Sequence, residues 1–175
     1  MNFLKSIALS ISTLSFWTFC LFIFSPLHWL IFKLVHANDL IKTAYNLDWS
    51  VFKFFFGLSN LSQLTTLEVD HMQDVRTIVW LLGLLSAGLI WFVKNQTRQI
   101  ATYSAWLIAV VGLVSATSFT ASFTTLHKIV FTNDSWLLDP SQHLLIQVYP
   151  ENFFAWSWLI ILLLSLISAL ALSRR

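Results

Sequence analysis

Residues 77–93 read TIVWLLGLLSAGLIWFV. No charge interrupts this stretch, and roughly 17–25 apolar residues at helical rise cross the hydrocarbon of a bilayer. A short polar hinge, Lys94-Asn95-Gln96-Thr97-Arg98, follows, and a second such run fills residues 100–118. Working outward, a third run covers residues 154–172 and a fourth residues 7–35, the latter interrupted at Ser25-Pro26. The 175 residues are 57% hydrophobic and only 10% charged, where soluble chains carry about 25% charged residues. Such a chain cannot cover itself with a wetted surface. The pattern predicts an all-α integral membrane protein with four transmembrane helices, forming a single membrane domain over residues 1–175. Two polar connections, 36–76 and 119–153, join spans one to two and three to four.

Charge placement predicts the orientation. Lys5, Lys94, Arg98, Arg174 and Arg175 fall on one side with no acid among them. All eight acids and the other five cations fall on the opposite side, so +5 and −3 make up the net charge of +2. Basic loops stay in the cytoplasm. Both termini are therefore expected inside and both long connections on the outer face of the cytoplasmic (inner) membrane. The first run begins with Lys5 like a secretory signal, but its apolar part exceeds a signal core and no small-x-small site closes it, so a retained anchor is expected. The lone cysteine, Cys20, has no disulfide partner in the chain, which excludes a thiol oxidase built on paired cysteines.

Between the spans, Pro26 removes a helix donor and predicts a kink or a fresh start. Residues 38–57 carry Leu40, Ala44, Leu47, Val51 and Phe55 at helical spacing, with Lys42, Asn46, Ser50 and Lys53 opposite, as in a helix lying in the interface. Asp48 falls inside the apolar arc, and a local helix break is expected there in preference to an acid aimed at a site. Residues 57–68 read as a turn-rich loop, after which Asp70 is expected to cap a helix entering span two. Small residues (Gly83, Ser86, Ala87, and Ala105, Ala109, Gly112, Ala116) are expected to mark the facing sides of spans two and three. The Ser/Thr-rich stretch 117–125 leads to His127, and Asp139-Pro140 predicts a turn.

Two polar clusters stand out: His71-Met72-Gln73-Asp74-Val75-Arg76, and the stretch His127 to Pro140 with Asn133, Asp134, Trp136 and Asp139. His71 and Asp74, three apart, share one face of a helix. An imidazole titrates near neutrality, and a nearby carboxylate fixes its tautomer and raises its basicity. His71 and His127 therefore stand out among the five histidines. His28 is expected to serve in interfacial packing, and His36 and His143 lack comparable surroundings. Two His and two Asp are ligand types for zinc, but no recognised spacing such as H-E-x-x-H occurs. Haem between helices needs histidines inside the spans, and spans two, three and four have none. No serine has a G-x-S-x-G context. Acyl chemistry at this site would use a general base, with the substrate supplying its own nucleophile.

The elements His127-x-x-x-Phe131-x-Asn133-Asp134-x-Trp136-x-x-Asp139-Pro140, Leu144-Leu145-Ile146, Pro150-Glu151-x-Phe153-Phe154 and the upstream His71-Met72-x-Asp74-Val75 resemble a family of small four-span bacterial membrane proteins that includes the lipoprotein intramolecular transacylase. The sequence departs from the family pattern at His143, where an acid is expected, and at Leu126, where an aromatic usually precedes the histidine. The resemblance implies an acyltransferase that moves the sn-2 acyl chain of a diacylglyceryl-modified lipoprotein from its ester to the α-amine of the N-terminal cysteine. It implies a lipoprotein partner within membrane lipids, and no cofactor, metal or nucleic acid. On this reading His127 is the expected general base, oriented by Asp134 or Asp74. His71 relays the proton or stabilises the oxyanion with Asn133. Trp136, Phe131 and Tyr45 are the expected substrate-binding residues. The competing expectation is a non-catalytic membrane protein that binds a lipid or a partner; metal-dependent hydrolysis is a third.

Overall fold

In a computed structural model the protein is described over residues 2–36, 38–93 and 98–174, with Asn38 and Asp39 described by backbone only. The described residues are helical, with no strand: α1 (Asn2–Ile23), α2 (Ser25–Val35), α3 (Asn38–Phe55), α4 (Thr66–Val93), α5 (Arg98–Thr117), α6 (Phe119–Val130), α7 (Leu144–Val148) and α8 (Glu151–Ser173). Four of them, α1, α4, α5 and α8, are long and apolar enough to cross a membrane. The hinge at 94–97 and the caps expected from the Asn38 and Asp39 side chains lie outside the described residues.

The chain forms two compact units. One comprises Met1–Cys20, Val79–Phe119 and Trp158–Arg175. Its helices interlock through small residues and serines, since in lipid helix association depends on close packing and interhelical hydrogen bonds. Ser10 Oγ stands 3.0 Å from Ser104 Oγ, and Ser12 Oγ donates to Ser86 O at 3.1 Å. The indoles of Trp17 and Trp158 donate to Ser168 Oγ and Ser115 Oγ at 3.0 and 2.8 Å. The small residues of α4 and α5 were expected to face each other; instead Gly83 and Ser86 meet α1, Ala105 and Gly112 meet α8, and Ala87 and Ala116 are exposed. A Cβ on Gly83 would lie 2.8 Å from the Phe19 ring, and one on Gly112 would lie 3.4 Å from Leu162. The Phe19 ring and the Leu162 side chain need that room.

The second unit comprises Leu21–Ile78 and Thr120–Ser157. Proline acts here as expected: α1 ends at Ile23, and α2 starts afresh with Pro26 in its first turn. The first apolar run is thus two helices, the second only 11 residues long and too short to span. α3 buries Ala44, Leu47, Val51 and Phe55 and ends at Phe55, two residues before Gly57, whose φ of 71° is left-handed. Asp48 does not break it. α4 starts at Thr66, ahead of Asp70, because Thr65 and Glu68 form a capping box: Glu68 Oε2 accepts from Thr65 N and Thr65 Oγ1, both at 2.7 Å. Arg76 joins α4 to α3, donating to Phe54 O at 3.4 Å with its guanidinium 4.6 Å from the centre of the Phe54 ring.

Overpacking a tight helix contact costs about 1–3 kcal/mol. Gly83→Leu should therefore lower the melting temperature in detergent by several degrees. Gly88→Leu, at a position with nothing within 4 Å of a new Cβ, should leave it near wild type.

Candidate active site

The Ser/Thr-rich lead-in to His127 is the helix α6, anchored at its start by Thr120 Oγ1 donating to Glu151 Oε1. His127 falls in its last turn, with Nδ1 2.8 Å from Phe123 O. A carbonyl only accepts, so Nδ1 carries the proton and Nε2 keeps a lone pair. Burial holds this imidazole below its ordinary value of about 6.5, partly opposed by the hydrogen bond to Phe123. His127 is thus a neutral base at pH 7.

His71 projects from α4 into the same place. Its ring centre lies 6.3 Å from that of His127 and 4.9 Å from that of Phe131. It is 8% exposed, and its Nδ1 is buried with no hydrogen bond to any described residue. Around His127 stand Phe123 at 4.0 Å and Phe131 and Trp136 at 5.3 Å each. Polar residues complete the cluster. Asn133 Nδ2 donates to Asp74 Oδ2 at 2.8 Å, while its Oδ1 accepts from the backbone and hydroxyl of Ser135. The Asn133 side chain is thereby fixed, with its second amide hydrogen uncommitted.

The structure therefore gathers His71, His127, Asp74, Asn133, Phe131 and Trp136. Asp134 is exposed, and no hydrogen bond from the described residues reaches its carboxylate. Asp74 contacts Asn133, and a backbone carbonyl orients His127. Tyr45 lies elsewhere, on α3 against Trp29 and Phe32 at 5.5 and 6.1 Å. Among the described residues, no three His, Cys, Asp or Glu side chains are grouped to hold a metal.

Two further acids shape this unit. Glu68, 1% exposed, uses its second oxygen to accept from Leu145 N at 2.7 Å. One carboxylate thus caps α4 and pins the first turn of α7. The motif Thr65-x-x-Glu68 signals the cap in sequence; nothing signals the bond to Leu145. Asp48, also 1% exposed, accepts from His28 Nδ1 at 2.6 Å and from the Tyr149 hydroxyl at 2.9 Å. This corrects the helix break expected at Asp48 and adds an ionic role to the packing expected for His28, whose buried ring also stands edge-on to Phe32, Tyr149 and Phe153: a buried acid needs donors. Burial, then the Asp48 carboxylate, pushes the Tyr149 phenol well up. His36 Nε2 donates to Val148 O at 2.7 Å. The segment between α6 and α8 is thus fastened at both ends of α7.

The sequence matches the family profile described as lipoprotein intramolecular transacylase Lit over residues 3–154. The chain belongs to this family. It is accordingly a multi-pass membrane acyltransferase acting on lipoproteins. Its fold resembles an in meso structure of the membrane-integral lipoprotein intramolecular transacylase Lit from Bacillus cereus, with a TM-score of 0.77 at 19% identity over 97% of this chain and 89% of that one. A histidine-to-arginine variant of the same Bacillus cereus protein matches with a TM-score of 0.61 at 24% identity over 99% and 91% of the two chains. No curated protein sequence matches the chain.

Glutamine at position 68 can accept through one oxygen only, while the pocket presents donors to both. Glu68→Gln should destabilise the protein by about 1–3 kcal/mol, the cost of stranding a buried donor. The measurement is chemical or thermal denaturation in detergent, against Glu151→Gln, which alters an exposed acid.

Proposed function

We propose that this protein transfers the sn-2 acyl chain of a diacylglyceryl lipoprotein to the α-amine of its N-terminal cysteine, with His127 as general base. The observation that carries the assignment is the Nδ1–H bond from His127 to the Phe123 carbonyl, which leaves Nε2 as acceptor beside the buried ring of His71. The neutral amine nitrogen attacks the ester carbonyl and gives its proton to Nε2. The tetrahedral oxyanion forms within reach of Asn133, whose free amide hydrogen and fixed orientation suit an oxyanion donor; His71 is the second donor. The C–O bond then breaks, and the imidazolium returns the proton to the departing sn-2 oxygen. One ester becomes one amide plus one hydroxyl, and no energy source is needed. Holding amine and ester together supplies effective concentration. Trp136 and Phe131 wall the acyl chain, Asp74 positions Asn133, and water is kept from the intermediate by the aromatic surround.

The distribution of cations supports a site on the non-cytoplasmic face of the inner membrane, where the N-termini of lipoproteins lie. Tyr45 and Asp134 take no direct part in this scheme.

Expression in a host that lacks lipoprotein N-acylation, followed by mass spectrometry of a reporter lipoprotein, tests the reaction. Wild type should yield the lyso form with an amide-linked chain. Loss of a general base costs about 10²–10⁴ in rate, so His127→Ala should fall by at least that lower figure, and Asn133→Ala by on the order of 10². Near-normal conversion by both His127→Ala and His71→Ala would end the proposal.

The pH profile provides a second check. Because burial lowers the His127 value, the imidazole stays neutral as pH falls below about 6.5, and its protonation limb should lie on the acid side of that value. The substrate amine must itself lose a proton, with an ordinary value of about 7.7–8.0, so the rate should rise through that range toward alkaline pH. A single limb near 6.5 would contradict a half-buried, partly desolvated base at His127.

A further inference from the structure

A groove of about 470 Å³ opens between α2 and α3, lined by Pro26, Trp29, Leu30, Lys33 and Tyr45. It shares no residue with the histidine cluster. Its α2 residues follow i, i+3, i+4, i+7 spacing, hence one face of the helix. Lys33 lies two turns beyond Pro26, on the order of 10 Å along the axis. The groove is therefore cationic at one end and apolar along the rest. Its volume falls within the roughly 300–1,000 Å³ of small-molecule sites.

The polar groups along it are matched in kind. The Lys33 ammonium, the Tyr45 hydroxyl and the Trp29 indole N–H are all donors, and none has a hydrogen-bond or ionic partner among the described residues. Trp29 and Tyr45 sit ring against ring at 5.5 Å. The only acid of α2 and α3 with a described side chain is Asp48, buried and committed to His28 and Tyr149. Lys33, Lys42 and Lys53 therefore face their surroundings without a described counter-charge. A group rich in acceptors and negative charge, carrying a hydrocarbon chain, complements this arrangement, because charge-assisted bonds to phosphate oxygens are the strong ones. Leu30 and Trp29, 56% and 40% exposed, offer the chain its apolar wall.

We propose that the α2–α3 groove binds one anionic glycerophospholipid, its phosphate on Lys33, Tyr45 and Trp29 and an acyl chain along Leu30 and Pro26. The occupant is distinct from the acyl-transfer substrate, whose diacylglyceryl cysteine has no phosphate and whose α-amine is itself cationic and repelled by Lys33. The lipid fastens the α2–α3 hairpin to the leaflet.

The test is native mass spectrometry of the full chain released from nanodiscs of phosphatidylcholine doped with phosphatidylglycerol. Wild type should retain one phosphatidylglycerol about tenfold over phosphatidylcholine, and Lys33→Gln should abolish that preference. Tyr45→Phe should weaken it several-fold by removing one donor, and Lys5→Gln, in α1, should leave it intact. Both groove positions are at least partly solvent-accessible, so the variants fold, which circular dichroism checks. Equal retention by wild type and Lys33→Gln, or no preference for the anionic lipid, overturns the proposal. So does displacement of the lipid by a diacylglyceryl lipopeptide, which would assign the groove to substrate. Lipid retention is read without turnover, so failure of the acyl-transfer reading leaves this result standing.

Discussion

A single carboxylate with both oxygens occupied organises the polar unit. Glu68 closes the capping box at the start of α4 with one oxygen and holds the Leu145 amide in the first turn of α7 with the other. His71 lies one turn further along α4, and the segment carrying Asn133 and Trp136 lies immediately before α7. The same side chain therefore sets the registry between the two halves of the histidine cluster. A buried charge is tolerated only where donors saturate it, and Glu68 has three. Asp48 ties down the other end of α7 differently, through one oxygen that accepts from both Tyr149 and His28, while its second oxygen has no partner among the described residues. An irregular strap, which by itself has little to hold it, is fixed by acids that belong to neighbouring helices.

The membrane-spanning unit uses a different economy. There the donors are serine hydroxyls and two indoles, and the acceptors are carbonyls or other hydroxyls on adjacent helices. None of these groups carries a charge. Uncharged pairs suit a hydrocarbon setting, where a lone ion is costly, and glycine admits the aromatic bulk of Phe19. Of the charged residues this unit holds only cations, Lys5, Lys94, Arg98, Arg174 and Arg175, and all eight acids belong to the other unit.

Hydropathy made the four spans legible, because runs such as 77–93 have no other stable environment. The α2 restart was legible through Pro26, and the amphipathic α3 through its spacing. The α6 helix was not, since Thr120, Thr124 and Thr125 disguise it as a loop and no residue of α6 is buried in this chain. Asp48 misled because a lone acid in an apolar arc is ambiguous: only coordinates reveal a His28 and a Tyr149 arriving from far away in sequence. The pairing of His71 with His127 was suggested by motif and composition. The carbonyl of Phe123 as orienting group was invisible, because every residue has one. Asp134, adjacent in sequence to Asn133, is exposed. Proximity along the chain is a poor guide where the backbone bends and turns from Asn133 to Trp136.

The indole of Trp136 stacks obliquely near the imidazole of His127 at 5.3 Å. An imidazolium accepts excited-state charge from indole, whereas a neutral ring does not. The emission of this one tryptophan is thus wired to the protonation of its neighbour. The protonation of the His127 imidazole is thereby tied to an optical signal of the resting protein, present before any lipid has been turned over.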